Sequence, residues 1–187
     1  MGVNIKSRKD ITPEAIIKQR RRKLRDRAMA VSLLYKIITL ALVIFVLFGV
    51  FFGLTAMKGG DMEPKLSAGD LLLYYRLENN YARNDVAIME RNGDQYVGRL
   101  IGMPGDTINI TSSGTVSIDG NNIFETNIFY ETKPYEGSGR YPLTLANDEY
   151  FLLADKRDTA KDSRYFGPVK RSELKGKVIT SVKRTGI

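Results

Sequence analysis

Cysteine and histidine are both missing from this chain of 187 residues. Without cysteine there is no disulfide framework and no thiolate metal site. Without histidine the commonest metal ligand and the usual general base are gone, so no Ser-His-Asp or Cys-His mechanism can be built within the chain. Hydrolytic chemistry would have to rest on Ser, Lys, Asp, Glu or Tyr. Net charge is also missing from most of the molecule. The first 36 residues carry 11 of the 29 Lys and Arg but three of the 21 acids, a net of +8. That equals the formal charge of the whole chain, so the remainder is neutral. Phosphate neutralisation needs a basic surface, so the body of the protein is not expected to bind nucleic acid.

What is present divides the chain into three parts. Residues 1–36 read as a cytoplasmic basic arm, partly helical, with Thr12 as cap, Pro13 at the first helical position and Glu14 in the first turn. The run Lys18 to Arg27 is too charged to bury, and some attraction to anionic lipid is expected of it. Ile37 to Ala56 is 20 residues without a charged side chain. At ~1.5 Å per residue it reaches ~30 Å, the hydrocarbon thickness of a bilayer. It is longer than the apolar region of a cleavable leader and no Ala-x-Ala follows, so residues 37–57 read as a retained, lipid-contacting anchor. The basic flank places the N-terminus in the cytoplasm and the domain of residues 58–187 outside the plasma membrane, a single-pass topology. Gly49 and Gly53 have the small-residue spacing of helix dimers.

Beyond Gly59 the periodicity turns strand-like. Asp70–Arg76, Asp85–Met89, Gln95–Ile101, Thr107–Ile110, Thr115–Ile118, Glu149–Ala154 and Lys177–Arg184 are short apolar runs between turn residues. Asn92-Gly93 and Asp119-Gly120 are hairpin signals, and Pro104-Gly105 suits a type II turn. Residues 126–145 read as irregular. The outer domain is expected to be mostly β and antiparallel, large enough for one core. No metal site and no cofactor are expected.

Four segments, in order, resemble the type I signal peptidases: Asp61-Met62-Glu63-Pro64 with Gly69-Asp70, Asn84–Ile88, Gly98–Asp106, and Asp155-Lys156-Arg157 with Asp162–Val169. The resemblance implies an antiparallel β fold whose groove takes an extended pre-protein segment by strand addition. It also implies a serine nucleophile and a neutral lysine base, and here the chain departs from the family. Asp61 stands for the serine, Gly98 for the lysine, Ala160 for the serine that orients the lysine, and Gly59 for a serine that donates to the oxyanion. Asp162 and Arg164 match a structural ion pair. A carboxylate is a poor amide nucleophile. A dyad of Asp61 with Asp155, Asp158 or Asp162 would need a shared proton.

The departures match catalytically degenerate members found beside pilus gene clusters in Gram-positive cocci, which assist pilin polymerisation. The expectation is therefore a catalytically inactive, membrane-anchored accessory that binds pilin subunits or another secreted protein. Gly59, Asp61, Met62, Pro64, Gly98 and Arg99 are its candidate contact residues. The alternative is an active signal peptidase with rearranged catalytic residues. The missing lysine at Gly98 is expected to leave a gap beside Asp61 that a partner's ammonium can fill; otherwise Asp61 pairs with an internal Lys or Arg.

Overall fold

A computed structural model describes residues 13–125, 128, 130–135 and 139–184. Thr12 lies outside them, as does part of the segment read as irregular. Helix α1 (Pro13–Val46) starts at the proline, whose fixed φ suits a first helical turn. It continues as a π-helical turn over Leu47–Phe51. Its described side chains are exposed, the apolar ones included. By length and composition this helix is long and apolar enough to cross a membrane.

The C-terminal end of the anchor differs from the sequence expectation. Phe52–Ala56 is not helix but strand β1, paired antiparallel with β2 (Leu71–Tyr75). Ile37–Phe51 alone covers only about 22 Å at ~1.5 Å per residue. Counting back the roughly 20 residues that a bilayer requires sets the start near Ser32. Lys36 falls inside that window of roughly 20 residues. Gly53, read as part of a helix-dimer pattern, sits instead in β1 directly opposite Tyr74. A Cβ at that position would overlap the Tyr74 ring.

The remaining strands are β3 (Val86–Arg91), β4 (Asp94–Gly102), β5 (Thr107–Ile110), β6 (Val116–Ile118), β7 (Asn121–Asn122), β8 (Leu143–Thr144), β9 (Glu149–Leu153), β10 (Val169–Lys170) and β11 (Leu174–Val182). A short helix, α2 (Ser163–Phe166), precedes β10. Seven strands form one sheet in the order β1-β2-β11-β3-β4-β9-β10, and four form a smaller one in the order β7-β6-β5-β8. Every pairing is antiparallel. The β3–β4 hairpin turns at Asn92 and Gly93, both with positive φ, and β6–β7 turns the same way at Asp119 and Gly120. The Pro104-Gly105 turn closes with Asp106 N–H donating to Met103 O at 3.0 Å.

Strand β9 is buried on both faces, and its alternation divides the interior. Tyr150 and Leu152 join Ala87, Met89 and Leu100 under the large sheet, whereas Phe151 and Leu153 join Ile108, Ile118 and Leu145 against the small one. A third cluster of Met57, Met62, Leu66, Leu72, Ala154 and Ala160 underlies the candidate site. Gly53→Ala is expected to cost about 1–3 kcal/mol, the usual penalty of overpacking, read as a lower midpoint in thermal unfolding.

Candidate functional site

The site is assembled from two loops that the third cluster clamps together. In the first, Gly60 to Pro64 turns back on itself, with Glu63 N–H donating to Gly60 O at 3.0 Å and Leu66 N–H to Met62 O at 3.0 Å. Met62 has no solvent exposure and shares one buried cluster with Ala154 and Ala160 of the second loop, against which Val97 of β4 packs. The second loop follows β9. Its Lys156 N–H donates to Asp61 O at 2.8 Å, and Lys156 Nζ reaches Glu63 Oε2 at 3.1 Å.

Two carboxylates anchor the second loop from beneath. Asp155 takes Arg99 through two bonds, Nε at 2.8 Å and Nη2 at 2.6 Å, and Arg99 Nη1 also donates to Asn84 O. Asp162 takes Arg164 through Nε at 2.9 Å and Nη2 at 2.8 Å. It further accepts from Arg164 N–H, capping α2, and from Ala154 N–H. Both partners of the Asp162–Arg164 pair are buried. Arg157, which the sequence reading passed over, is fully buried and donates to Ala154 O, Thr132 Oγ1 and Glu125 Oε1. Its place in the Asp-Lys-Arg run was the available signal.

The candidate contact residues separate into groups. Gly59 and Asp61 are half-buried and Pro64 is exposed, so a bound chain can reach them. Met62 and Gly98 are buried and are not contact residues as the sequence reading had them. Arg99 has its guanidinium occupied by Asp155 and Asn84. Nor is Gly98 the edge of a gap. A Cβ there would lie 3.2 Å from Leu152 Cβ and 3.4 Å from Leu153 O, a space already closed by β9. Ala160 is buried against Met62, and its carbonyl accepts from Tyr135 Oη at 2.6 Å.

Asp61 has no internal ion pair among the described residues, contrary to one of the two expectations for it. Partial burial pushes its carboxyl above the usual range, the charge of Asp162 adds to this, and Lys156 opposes it. Asp155 and Asp162 are each bound to an arginine, which leaves neither free to share a proton with Asp61. Lys156 is no substitute base either, because its bond to Glu63 raises its pKa and favours the ammonium.

Among the described residues, one edge of β4 is open. Strand β3 pairs with β4 along residues 94–99, but β9 joins only from Arg99 onward. Leu100 exchanges its backbone bonds with Asn84 and Asp85 on the β3 side. By antiparallel alternation Gln95 and Val97 therefore turn their N–H and C=O groups to the unpaired side. Thr55 Oγ1 of β1 donates to Gln95 Oε1 at 2.6 Å, bringing the first strand back beside this edge.

A sequence profile described as signal peptidase, peptidase S26, matches residues 30–182. The chain belongs to the signal peptidase family. Among its relatives, signal peptidase I of Bacillus licheniformis is 32% identical over 121 residues, covering 58% of this chain and 63% of that protein. A probable signal peptidase I-2 of Synechocystis is 30% identical over 133 residues, 65% of this chain and 58% of that protein. Signal peptidase IB of Staphylococcus aureus is 28% identical, with coverage of 65% and 73%. The chain thus spans about three fifths of the length of the first two relatives. A solved signal peptidase I from Enterococcus faecalis is 30% identical, covering 55% of this chain and 98% of the other, with a TM-score of 0.46.

Two outcomes follow from these contacts. Arg164→Ala leaves Asp162 buried without its counter-charge and is expected to cost about 3–5 kcal/mol of stability, measured by denaturant unfolding. Asp61 behaves oppositely. Because its folded pKa is raised, the folded state binds more protons than the unfolded one between the ordinary carboxylate value and the raised one, and stability falls as pH rises through that window. Asp61→Asn is expected to melt higher than the parent at pH 7, with the difference shrinking as the pH is lowered toward 4.

Proposed function

We propose that this member of the signal peptidase family does not cut peptide bonds. It holds an extended segment of a secreted partner, as a membrane-anchored accessory in pilin assembly. The observation that carries the proposal is the content of the site. Where the family resemblance calls for a hydroxyl attacker and a neutral amine stand a carboxylate and a glycine whose side-chain space is filled by Leu152. The nearby amine of Lys156 is held charged by Glu63. The framework around these positions is intact, and an open edge of β4 supports strand addition, in which backbone bonds supply affinity and side-chain pockets supply selection.

The pilin partner rests on the resemblance to degenerate, pilus-associated members of the family. The orientation rests on the basic residues that precede the apolar helix, which favour a cytoplasmic N-terminus and an extracellular β domain. The names of the relatives favour a second reading, an active signal peptidase. In that reading Asp61 would have to attack an amide without a base.

The proposal is tested with the full chain in detergent and a purified pilin subunit. A photo-reactive residue at position 59 is expected to cross-link to the pilin, and one at position 119 in the β6–β7 turn is not. Equal yields at the two positions, or no cross-link from position 59, overturn it.

A further inference from the structure

We propose that Asp61 receives a side-chain cation, from a lysine or an arginine, carried by the segment that lies along β4. This inference rests on the groove reading above and names what the groove selects. Asp61 is the one half-buried carboxylate of the site without an ion-pair partner among the described residues; Asp158, also unpaired, is exposed. Glu63 has Lys156, Asp155 has Arg99 and Asp162 has Arg164. Arg99, Lys156 and Arg164 are each bonded to another carboxylate, so a cation carried by a bound segment can supply the charge that Asp61 lacks. Holding an unpaired carboxylate half out of water is unfavourable, and a bound cation would relieve that cost through a charge-assisted hydrogen bond.

Three further features fit a cation and not another group. Access is open on the Gly59 side. A Cβ at Gly59 would lie 3.6 Å from Asp61 Oδ2, yet the glycine places nothing there to cover the oxygen. Charge favours a cation: the Asp162 carboxylate acts on Asp61 to raise its pKa, and Lys156, the cation that opposes this, is itself bonded to Glu63. Position is suitable as well. Val97, on the open edge of β4, packs in the same cluster as Met62, the neighbour of Asp61. A strand added at that edge lies against the cluster that holds the Asp61 loop, and its side chains alternate, so that one in two can point toward that loop.

The test uses the full chain in detergent micelles and short alternating Ala-Val peptides, capped at both ends and labelled for fluorescence anisotropy. The central residue is Lys, Arg, norleucine or Glu. The Lys or the Arg peptide is expected to bind about tenfold more tightly than the norleucine peptide, within the range of a hydrogen bond to a charged group. Which of the two binds better tells an ammonium from a guanidinium. In Asp61→Asn the preference for the Lys or Arg peptide over the norleucine peptide is expected to fall below about twofold. Equal binding of Lys, Arg and norleucine peptides to the parent chain overturns the inference and leaves the groove reading standing. So does a preference that survives in Asp61→Asn. If none of the peptides binds, the groove reading falls and takes this inference with it.

Discussion

Asp162 bonds to the guanidinium and the backbone N–H of Arg164 and to the N–H of Ala154, and much of the site's geometry depends on that carboxylate. The bond to Ala154 fixes the end of β9, and the bonds to Arg164 start α2. The loop between these two anchors carries Asp155, Lys156 and Ala160, and so determines where each of them lies. Ala160 can pack against Met62, and Lys156 can reach both Asp61 O and Glu63, only because the two ends of this loop are held. A buried pair of this kind contributes little net stability when intact and a large loss when one partner is removed. Its role is better described as fixing one arrangement than as adding strength.

In the proposed reading the site keeps the framework of a peptidase without its reactive groups. A hydroxyl attacker needs a neutral amine beside it, and the nearest amine here is kept protonated by Glu63. The space beside Gly98 is filled by Leu152 and the Leu153 carbonyl, so no empty pocket is left there. The remaining polar group, Asp61, is electrostatically unmatched. The proposed binding role accounts for both facts, because an open strand edge needs no chemistry to hold a chain.

Much of this was legible in the sequence, for identifiable reasons. Asn92-Gly93 and Asp119-Gly120 marked both hairpins because only a few residue types accept positive φ at successive positions. Alternating apolar runs placed β2 to β6 and β9 within a residue or two. The Asp162–Arg164 pair lies two residues apart in a run that the family resemblance made conspicuous. The end of the apolar helix was not legible, because an uncharged run that continues as strand looks the same as one that continues as helix. Gly53 belongs to the same confusion, since its meaning depends on Tyr74, 21 positions later.

Solvent access at the site was also hidden. The motif groups Asp61, Met62 and Pro64 as neighbours, yet the turn sends Met62 into the core and leaves Pro64 outside. Whether Gly98 left a gap depended on β9, more than 50 residues away in the chain. No local pattern reports either. Asp61 shows the same limit from the other side. Its lack of an internal partner emerges only when Lys156, Arg99 and Arg164 are each seen bound elsewhere.

The central claim is that the site can hold a chain and not hydrolyse it. The most direct measurement incubates the purified full chain, in detergent, with a secretory pre-protein and follows release of the mature form. No product above the buffer control is the result this account requires. Clean cleavage after a small-x-small sequence, lost in Asp61→Ala, would contradict it.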